Sequence, residues 1–436
     1  MVVDFTVSNF RSIKAAQTLS FYAERKTEHL ADNIHYPAEA KIGVLTSAGI
    51  YGANASGKSN FLLALKALSE LVSESGDLKD GESIDAYEPY RLSQQTKDAP
   101  TSFELEFVLN GERYLYKVSF DKTRIHYEYL GFYPQGKTRS VIAKLFERND
   151  ADSWKHIAFG SLFTGGTKRY PLFANNLYLS KAGNSADSPQ RIRDVYQYLR
   201  SALVFKDVRR LRADPKWKNN GDIVKTISAL LSVVDVGINA MVIRKQDNSD
   251  FLNNLPTDLP EPIKAKILED VNNLPFFEHV NESGDSEYFE ESIESTGTQY
   301  LVHTLPLLIG VLKQGKILIW DEIESSLHPH IAELIIKLFN DPSVNVNHAQ
   351  LVFTTHNMAL MSQHTMRKDQ LWLTEKHQGV TSISSLEDFS EDSLKSNSPF
   401  AKWYDEGRLG GIPALDYGIV RDLMTPKAED NEDAEA

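Results

Sequence analysis

GIYGANASGKSN, residues 49–60, holds the spacing G-x-x-x-x-G-K-S from Gly52 to Ser59. Glycines at Gly52 and Gly57 let the backbone wrap a polyphosphate so that successive main-chain N–H groups point inward at its oxygens. The apolar run FLLALKALSELV after Asn60 recurs at i, i+3, i+4, the pattern of a helix whose N-terminus adds a favourable dipole to the same anion. The preceding IGVLTSAGIY reads as a buried strand. In that strand, loop and helix context the motif assigns Lys58 to the β- and γ-phosphates and the Ser59 hydroxyl to Mg²⁺. A phosphate loop alone specifies only a bound nucleotide, so motor, switch and kinase stay open until the rest of the chain is read.

Composition narrows the classes. A chain of 436 residues exceeds what one hydrophobic core usually supports, so two or three lobes are expected. The absence of cysteine excludes a disulfide framework and a thiolate metal site. MVVDFTVSNFRSIK has no apolar signal region and no stretch approaches a membrane span, so no membrane partner and a cytoplasmic location are expected. The net charge is −13, and the last ten residues alone hold five acids against one lysine. That tail, 426–436, reads as disordered. Against this acidity, FKDVRRLRADPKWKN (205–219) gathers Lys206, Arg209, Arg210, Arg212, Lys216 and Lys218 around Trp217. Such a run is either a solvated face or a surface for an acidic partner, nucleic acid included.

Along the chain, FELEFVL, an Asn-Gly turn and RYLYKVSF form a hairpin signal, with YEYLGFY as a third strand. From about residue 186 to 236 the pattern turns helical, DSPQRIRDVYQYLRSALVF included, before the β-like GINAMVIRKQ. The Pro-, Asn- and acid-rich stretch from Phe251 to Glu290 reads as a connector or mobile surface insertion.

The second half supplies the partner of the phosphate loop. KILIWDEIESSLHP (316–329) is an apolar strand ending in Asp321 and Glu322. Asp321 can hold the Mg²⁺ shell through Ser59 and water while Glu322 polarises the attacking water; adjacent acids also suit an ordinary helix start. In ESIESTGTQYLVHTLPLLIGVL (291–312), Ser295 and Gly297 precede an apolar helix, a ready anion site or a plain N-cap. AQLVFTTHNMALM is a further buried strand, running into His356.

In that order, phosphate loop, Ser-x-Gly turn before a helix, strand ending Asp-Glu, SSLHP and strand ending Thr-Thr-His resemble the ABC-type ATPases of the RecF, SMC and OLD group. FTVSNFRSIK at the start resembles the N-F-R-S turn with which the group opens. WYDEGRLGGIPAL near the end is similar to stand-alone ATPases of phage-defence systems such as PARIS and AbiL. The resemblance implies an α/β fold: an ABC-type P-loop ATPase head with a strand-rich N-terminal lobe and a helical insertion. It implies ATP and Mg²⁺ as cofactors. Gly52, Asn54, Gly57, Lys58 and Ser59 would form the phosphate loop, with Asn9 and Arg11 near the nucleotide. Asp321 would be the Mg²⁺ acid, Glu322 the general base, and His356 the switch histidine on the γ-phosphate. Ser295 and Gly297 would match the signature loop, which in this group meets the nucleotide of the opposite subunit, so a head-to-head homo-oligomer is expected. Glu294-Ser295-Thr296-Gly297 departs from the usual Leu-Ser-Gly-Gly. Gln94 and Gln95 are the candidates for the glutamine loop.

The 80 residues after His356 leave no room for the Toprim domain of OLD nucleases, and no heptad arm of SMC type lies between the halves. The expected division is an N-terminal ATPase lobe (1–140), a helical and β insertion (141–290), a C-terminal ATPase lobe (291–425) and the tail. The expected function is an ATP-hydrolysing sensor or scaffold of an antiviral toxin system, holding or releasing a separately encoded effector such as a Toprim or other nuclease. The alternative is a DNA-repair ATPase of RecF type.

Overall fold

Asn110 and Gly111 turn the chain with φ of 52° and 79°, the left-handed pair that a two-residue hairpin requires. They join β6 (Thr101–Leu109) to β7 (Glu112–Phe120) in unbroken antiparallel register. Around this hairpin a seven-stranded antiparallel sheet is built with β1 (Val2–Ser8), β2 (Gln17–Ser20), β8 (Ile125–Phe132), β9 (Ala143–Asn149) and β10 (Ala158–Phe159), in the order β10-β9-β8-β7-β6-β1-β2. The computed structural model describes residues 1–23, 29–37, 42–134, 141–149, 155–206, 215–235, 237–245, 259–389, 398–410 and 417–425.

The second sheet carries the site. β5 (Ser47–Tyr51), β11 (Leu203–Lys206), β15 (Ile317–Trp320), β16 (Gln350–Thr355), β17 (Leu371–His377) and β18 (Val380–Ser385) lie in the order β11-β15-β16-β5-β17-β18, parallel except for the last pair. Its middle strands are buried on both faces, which is why they read as continuous apolar runs. Ile317, Ile319 and Val352 face a core shared with the antiparallel sheet and with α1 (Lys58–Glu74), α2 (Tyr178–Gly183) and α3 (Gln190–Ser201). Leu318, Trp320, Leu351 and Phe353 face a second core, filled from α4 (Gly221–Val234), α6 (Thr296–Gln314) and α7 (Pro329–Asn340). The architecture is thus a mixed α/β P-loop fold with several sheets.

Three expectations about organisation change. Residue 140 is no boundary, because β8 pairs with β9 across it and the strand-rich lobe runs on to β10. DSPQRIRDVYQYLRSALVF is not one helix: α3 stops at Ser201, and Leu203–Lys206 become strand β11, paired in parallel with β15. A four-residue apolar run behind a helix cannot be told from its continuation by periodicity. The stretch from Phe251 to Glu290 is more than a connector, since it contains α5 (Glu261–Asn272), β13 (Asn273–Val280) and β14 (Ser286–Glu290), the strands completing a small sheet with β12 (Ala240–Lys245). Residues 251–258 of that stretch, Arg209, Arg210 and Arg212, and the tail 426–436 lie outside the described residues.

Candidate nucleotide site

The loop after β5 takes its shape from two glycines in conformations that side chains rarely adopt, Gly52 at φ 153° and Gly57 at φ 105°. Space forbids a side chain as well: a Cβ at Gly57 would lie 2.2 Å from Thr381 Oγ1, and one at Gly52 would lie 2.5 Å from Thr374 Oγ1. Those threonines belong to the β17–β18 hairpin, which braces the loop. Thr381 Oγ1 donates to the Ser56 carbonyl (2.8 Å), and the Ser56 and Thr374 hydroxyls share a bond of 2.7 Å. Ser12 completes the brace, bonded to Thr381 Oγ1 (2.7 Å) and accepting from the Asn60 amide (2.5 Å). Thr374 and Thr381 escape sequence reading because single hydroxyls carry no motif, whereas Ser12 is the serine of the N-F-R-S turn.

Lys58, the first residue of α1, folds its Nζ back onto the carbonyls of Gly52 (2.8 Å) and Ala53 (3.0 Å) and is only 8 % exposed. Desolvation pulls its pKa down, while the negative charges of Asp321, Glu322 and Glu324 act the other way. Ser59 Oγ donates to Asp321 Oδ1 at 2.9 Å, linking positions 262 residues apart in sequence. The parallel register makes this meeting possible, because β5, β16 and β15 all end at the same edge of the sheet, the edge where open α/β sheets bind ligands. Thr354, near the end of the intervening β16, ties the acids in place: its Oγ1 donates to Asp321 Oδ1 (2.5 Å) and accepts the Glu322 backbone N–H (2.8 Å). Glu322 sits at φ 53° with an exposed side chain. A hydroxyl and a carboxylate, both hard oxygen donors, fit Mg²⁺, which binds through one or two protein groups plus substrate phosphates.

His356 follows β16 and is 58 % exposed, and its Nδ1 lies 3.0 Å from Glu324 Oε1. The same oxygen accepts the His356 backbone N–H at 2.9 Å. Glu324, absent from the residues expected of the site, is nearly buried at 10 % exposure of its side chain. The spacing D-E-x-E is the signal it leaves in the sequence. Tyr51, at the end of β5, is fully buried, and burial together with the Glu324 charge pushes its phenol well up, so the hydroxyl keeps its proton.

The remaining site expectations fall in three places. Asn54 and the neighbouring Ala55, at φ 62°, are exposed at the loop tip. Asn9 is buried, its amide donating to the carbonyls of Thr96 and Ala99 and its Oδ1 accepting from the Tyr90 backbone, so it shapes the 90–101 loop that carries Gln94 and Gln95. Arg11 pairs with Glu88 at 2.8 Å beside that loop. Ser295 is the N-cap of α6, accepting from the Thr298 N–H at 3.1 Å. Gly297 lies next to Ser326, in the turn that follows the acids, and Ser295 is exposed.

Of the cations in the basic run, Lys206, Lys216 and Lys218 lie within the described residues, and Lys216 is exposed. Lys206 is buried, its Nζ bonded to Thr304 (2.8 Å) and lying over the rings of Tyr300 and Trp320, and burial draws its pKa down to about 8. Trp217 and Lys218 are buried too. Among the described residues, no helix is long and apolar enough to cross a membrane.

A family model described as "AAA domain, putative AbiEii toxin, Type IV TA system" matches residues 47–362, the span from the phosphate-loop strand to just past His356. Similar solved structures include the SMC head domain from Thermotoga maritima, with 14% identity, a TM-score of 0.39, and coverage of 88% of this chain and 98% of that one. Another is an Smc head bound to the C-winged helix domain of ScpA, with 12% identity, a TM-score of 0.41, and coverage of 88% and 97%. A third is the Smc head with an extended coiled coil bound to the C-terminal domain of ScpA derived from Pyrococcus furiosus, with 13% identity, a TM-score of 0.39, and coverage of 94% and 99%. No curated protein sequence matches the chain.

Proposed function

This chain belongs to that AAA-domain family, and from this premise we propose that it binds and hydrolyses ATP with Mg²⁺ as the sensor or scaffold subunit of an antiviral defence system, holding or releasing a separately encoded effector. The observation that carries the enzymatic part is the 2.9 Å link between Ser59 of the phosphate loop and Asp321 of the strand-end acid pair. On nucleotide arrival, Lys58 exchanges the carbonyls of Gly52 and Ala53 for phosphate oxygens. The loop amides hold the remaining phosphate oxygens. Glu322, exposed and fixed through its backbone by Thr354, orients the attacking water. Ser59 and Asp321 would hold the Mg²⁺, which would supply charge neutralisation of the transferred phosphoryl group.

The defence role rests on the toxin-system description of the family. Within the described part of the basic run, Lys206 and Lys218 are buried, so these two lysines are not part of a surface for a phosphate backbone.

Lys58→Ala is expected to abolish Mg²⁺-dependent turnover and weaken ATP binding. Glu322→Gln should slow hydrolysis by about 10²-fold or more while ATP binding persists. Steady-state turnover measured beside equilibrium nucleotide binding tests both, and normal turnover in Glu322→Gln would remove that residue from the role of base. Cells carrying the chain alone or with its neighbouring genes, challenged with phage, test the defence role; protection by the chain alone would refute the need for a separate effector.

A further inference from the structure

We propose that Glu324 is the positioning residue for His356, fixing the proton of its ring on Nδ1 and presenting Nε2 to the terminal phosphate. The inference rests on the nucleotide site proposed above and assigns a task to an acid outside the Asp321-Glu322 pair.

Three observations carry it. One carboxylate oxygen, Glu324 Oε1, meets His356 twice, at Nδ1 (3.0 Å) and at the backbone N–H (2.9 Å), so both ring and main chain are gripped by a single acceptor. The two side chains differ sharply in exposure, 10 % for Glu324 and 58 % for His356. A buried acceptor therefore holds the inner ring nitrogen while the rest of the ring faces outward. Finally, Ile323 N–H donates to the Thr354 carbonyl at 3.1 Å, so the turn bearing Glu324 is clamped to the strand that delivers His356.

The chemistry follows from the two ring nitrogens. A neutral imidazole has one donor and one acceptor, and the hydrogen bond at one nitrogen selects the tautomer. Nδ1–H donation to Glu324 leaves Nε2 as the outward atom, an acceptor in the neutral ring and a donor when protonated. The acids thereby divide: Glu322 is exposed, whereas Glu324 is nearly buried and bonded to the histidine. A second oxygen of Glu324, Oε2, is buried without a hydrogen-bond partner among the described residues, an arrangement that is costly for a carboxylate and that a packing role does not need.

The test uses the full chain with ¹⁵N-labelled histidine, the His356 signals being identified by their loss in His356→Asn. The wild-type ring is expected as the Nδ1–H tautomer, and Glu324→Ala should move it to Nε2–H. In the same variant kcat should fall at least about tenfold, as misorientation of a catalytic group predicts, with the Kd of a non-hydrolysable ATP analogue changed by less than about threefold. Glu324→Gln, which keeps an acceptor oxygen, should recover the tautomer and part of the rate. A tautomer unmoved in Glu324→Ala, with fold confirmed by an unchanged far-UV spectrum, overturns the proposal. So does a loss of rate that Glu324→Gln leaves unrescued while the tautomer is restored. If the wild-type chain hydrolyses no ATP, the proposed enzymatic function fails, and the tautomer measurement still decides whether Glu324 positions the ring.

Discussion

At the scale of single residues, Gly57 shows how the phosphate-loop spacing constrains structure twice over. Its φ of 105° is costly for any L side chain, at about 1–3 kcal/mol, and a Cβ there would meet Thr381 Oγ1 at 2.2 Å. Gly57→Ala should therefore lower thermal stability and weaken nucleotide binding together. Adding Thr381→Ala should recover only part of the stability, because it makes room without relieving the backbone strain. Melting curves and ATP-analogue titration of the single and double variants check this, and full recovery in the double variant would mean that the clash alone matters. The same position marks what is readable in the sequence: Gly52, Gly57, Lys58, Ser59, Asp321 and Glu322 announce themselves by spacing. Thr354 and Thr381 do not, since their tasks are set by strands that meet only after folding, and Glu324 leaves only the D-E-x-E spacing. Asn9, expected near the nucleotide, has a side-chain amide that organises the 90–101 loop, a task its spacing does not announce.

At the scale of elements, alternating strands around an Asn-Gly turn make the β6–β7 hairpin legible in the sequence, whereas β11 is hidden because its four residues have no period of their own. The short β3 (Ile34–His35) and β4 (Val44–Leu45) pair is hidden for the same reason. That ribbon is stacked onto the loop leading into β16 through the rings of His35 and His348, with centroids 3.3 Å apart. Burial, the facing His348 and the Met1 amino group push the His35 pKa down to about 4, and burial also lowers that of His348. The native state thus excludes protons that the unfolded chain binds below its ordinary histidine value of 6.5. This contribution to stability is therefore present above about pH 6.5 and is lost progressively as the pH falls toward about 4. Urea unfolding across that window should show decreasing stability, and His35→Phe, which preserves a flat ring for stacking, should flatten the dependence. An equal slope in the variant would assign the acid sensitivity to other groups.

At the scale of the whole molecule, the parallel sheet gathers at one edge residues scattered from Gly52 to His356, an assembly that motif order anticipates and that only the order β15-β16-β5 explains. Ser295 is exposed at the start of α6, and Gly297 is half-buried beside Ser326 in the turn that follows the acids. We predict that ATP joins two heads so that the Ser295-Gly297 turn completes the site of the partner. Gly297→Asp is a clean probe, because a Cβ at Gly297 meets nothing nearer than Ser295 Oγ at 3.7 Å and Ser326 O at 3.8 Å. The substitution is expected to leave the fold intact and places a negative charge where a nucleotide phosphate would approach. Lys58→Ala chains keep this turn but lose their own phosphate loop, whereas Gly297→Asp chains keep the loop but lose the turn. Each alone should be inactive. Mixed pairs hold one intact composite site, so an equal mixture with free exchange should regain about a quarter of wild-type turnover, the random yield for a two-fold pair. Absence of any rescue, with exchange between differently tagged chains demonstrated in the same sample, would mean that each head hydrolyses ATP by itself and that the exposed Ser295-Gly297 turn serves only to cap its helix.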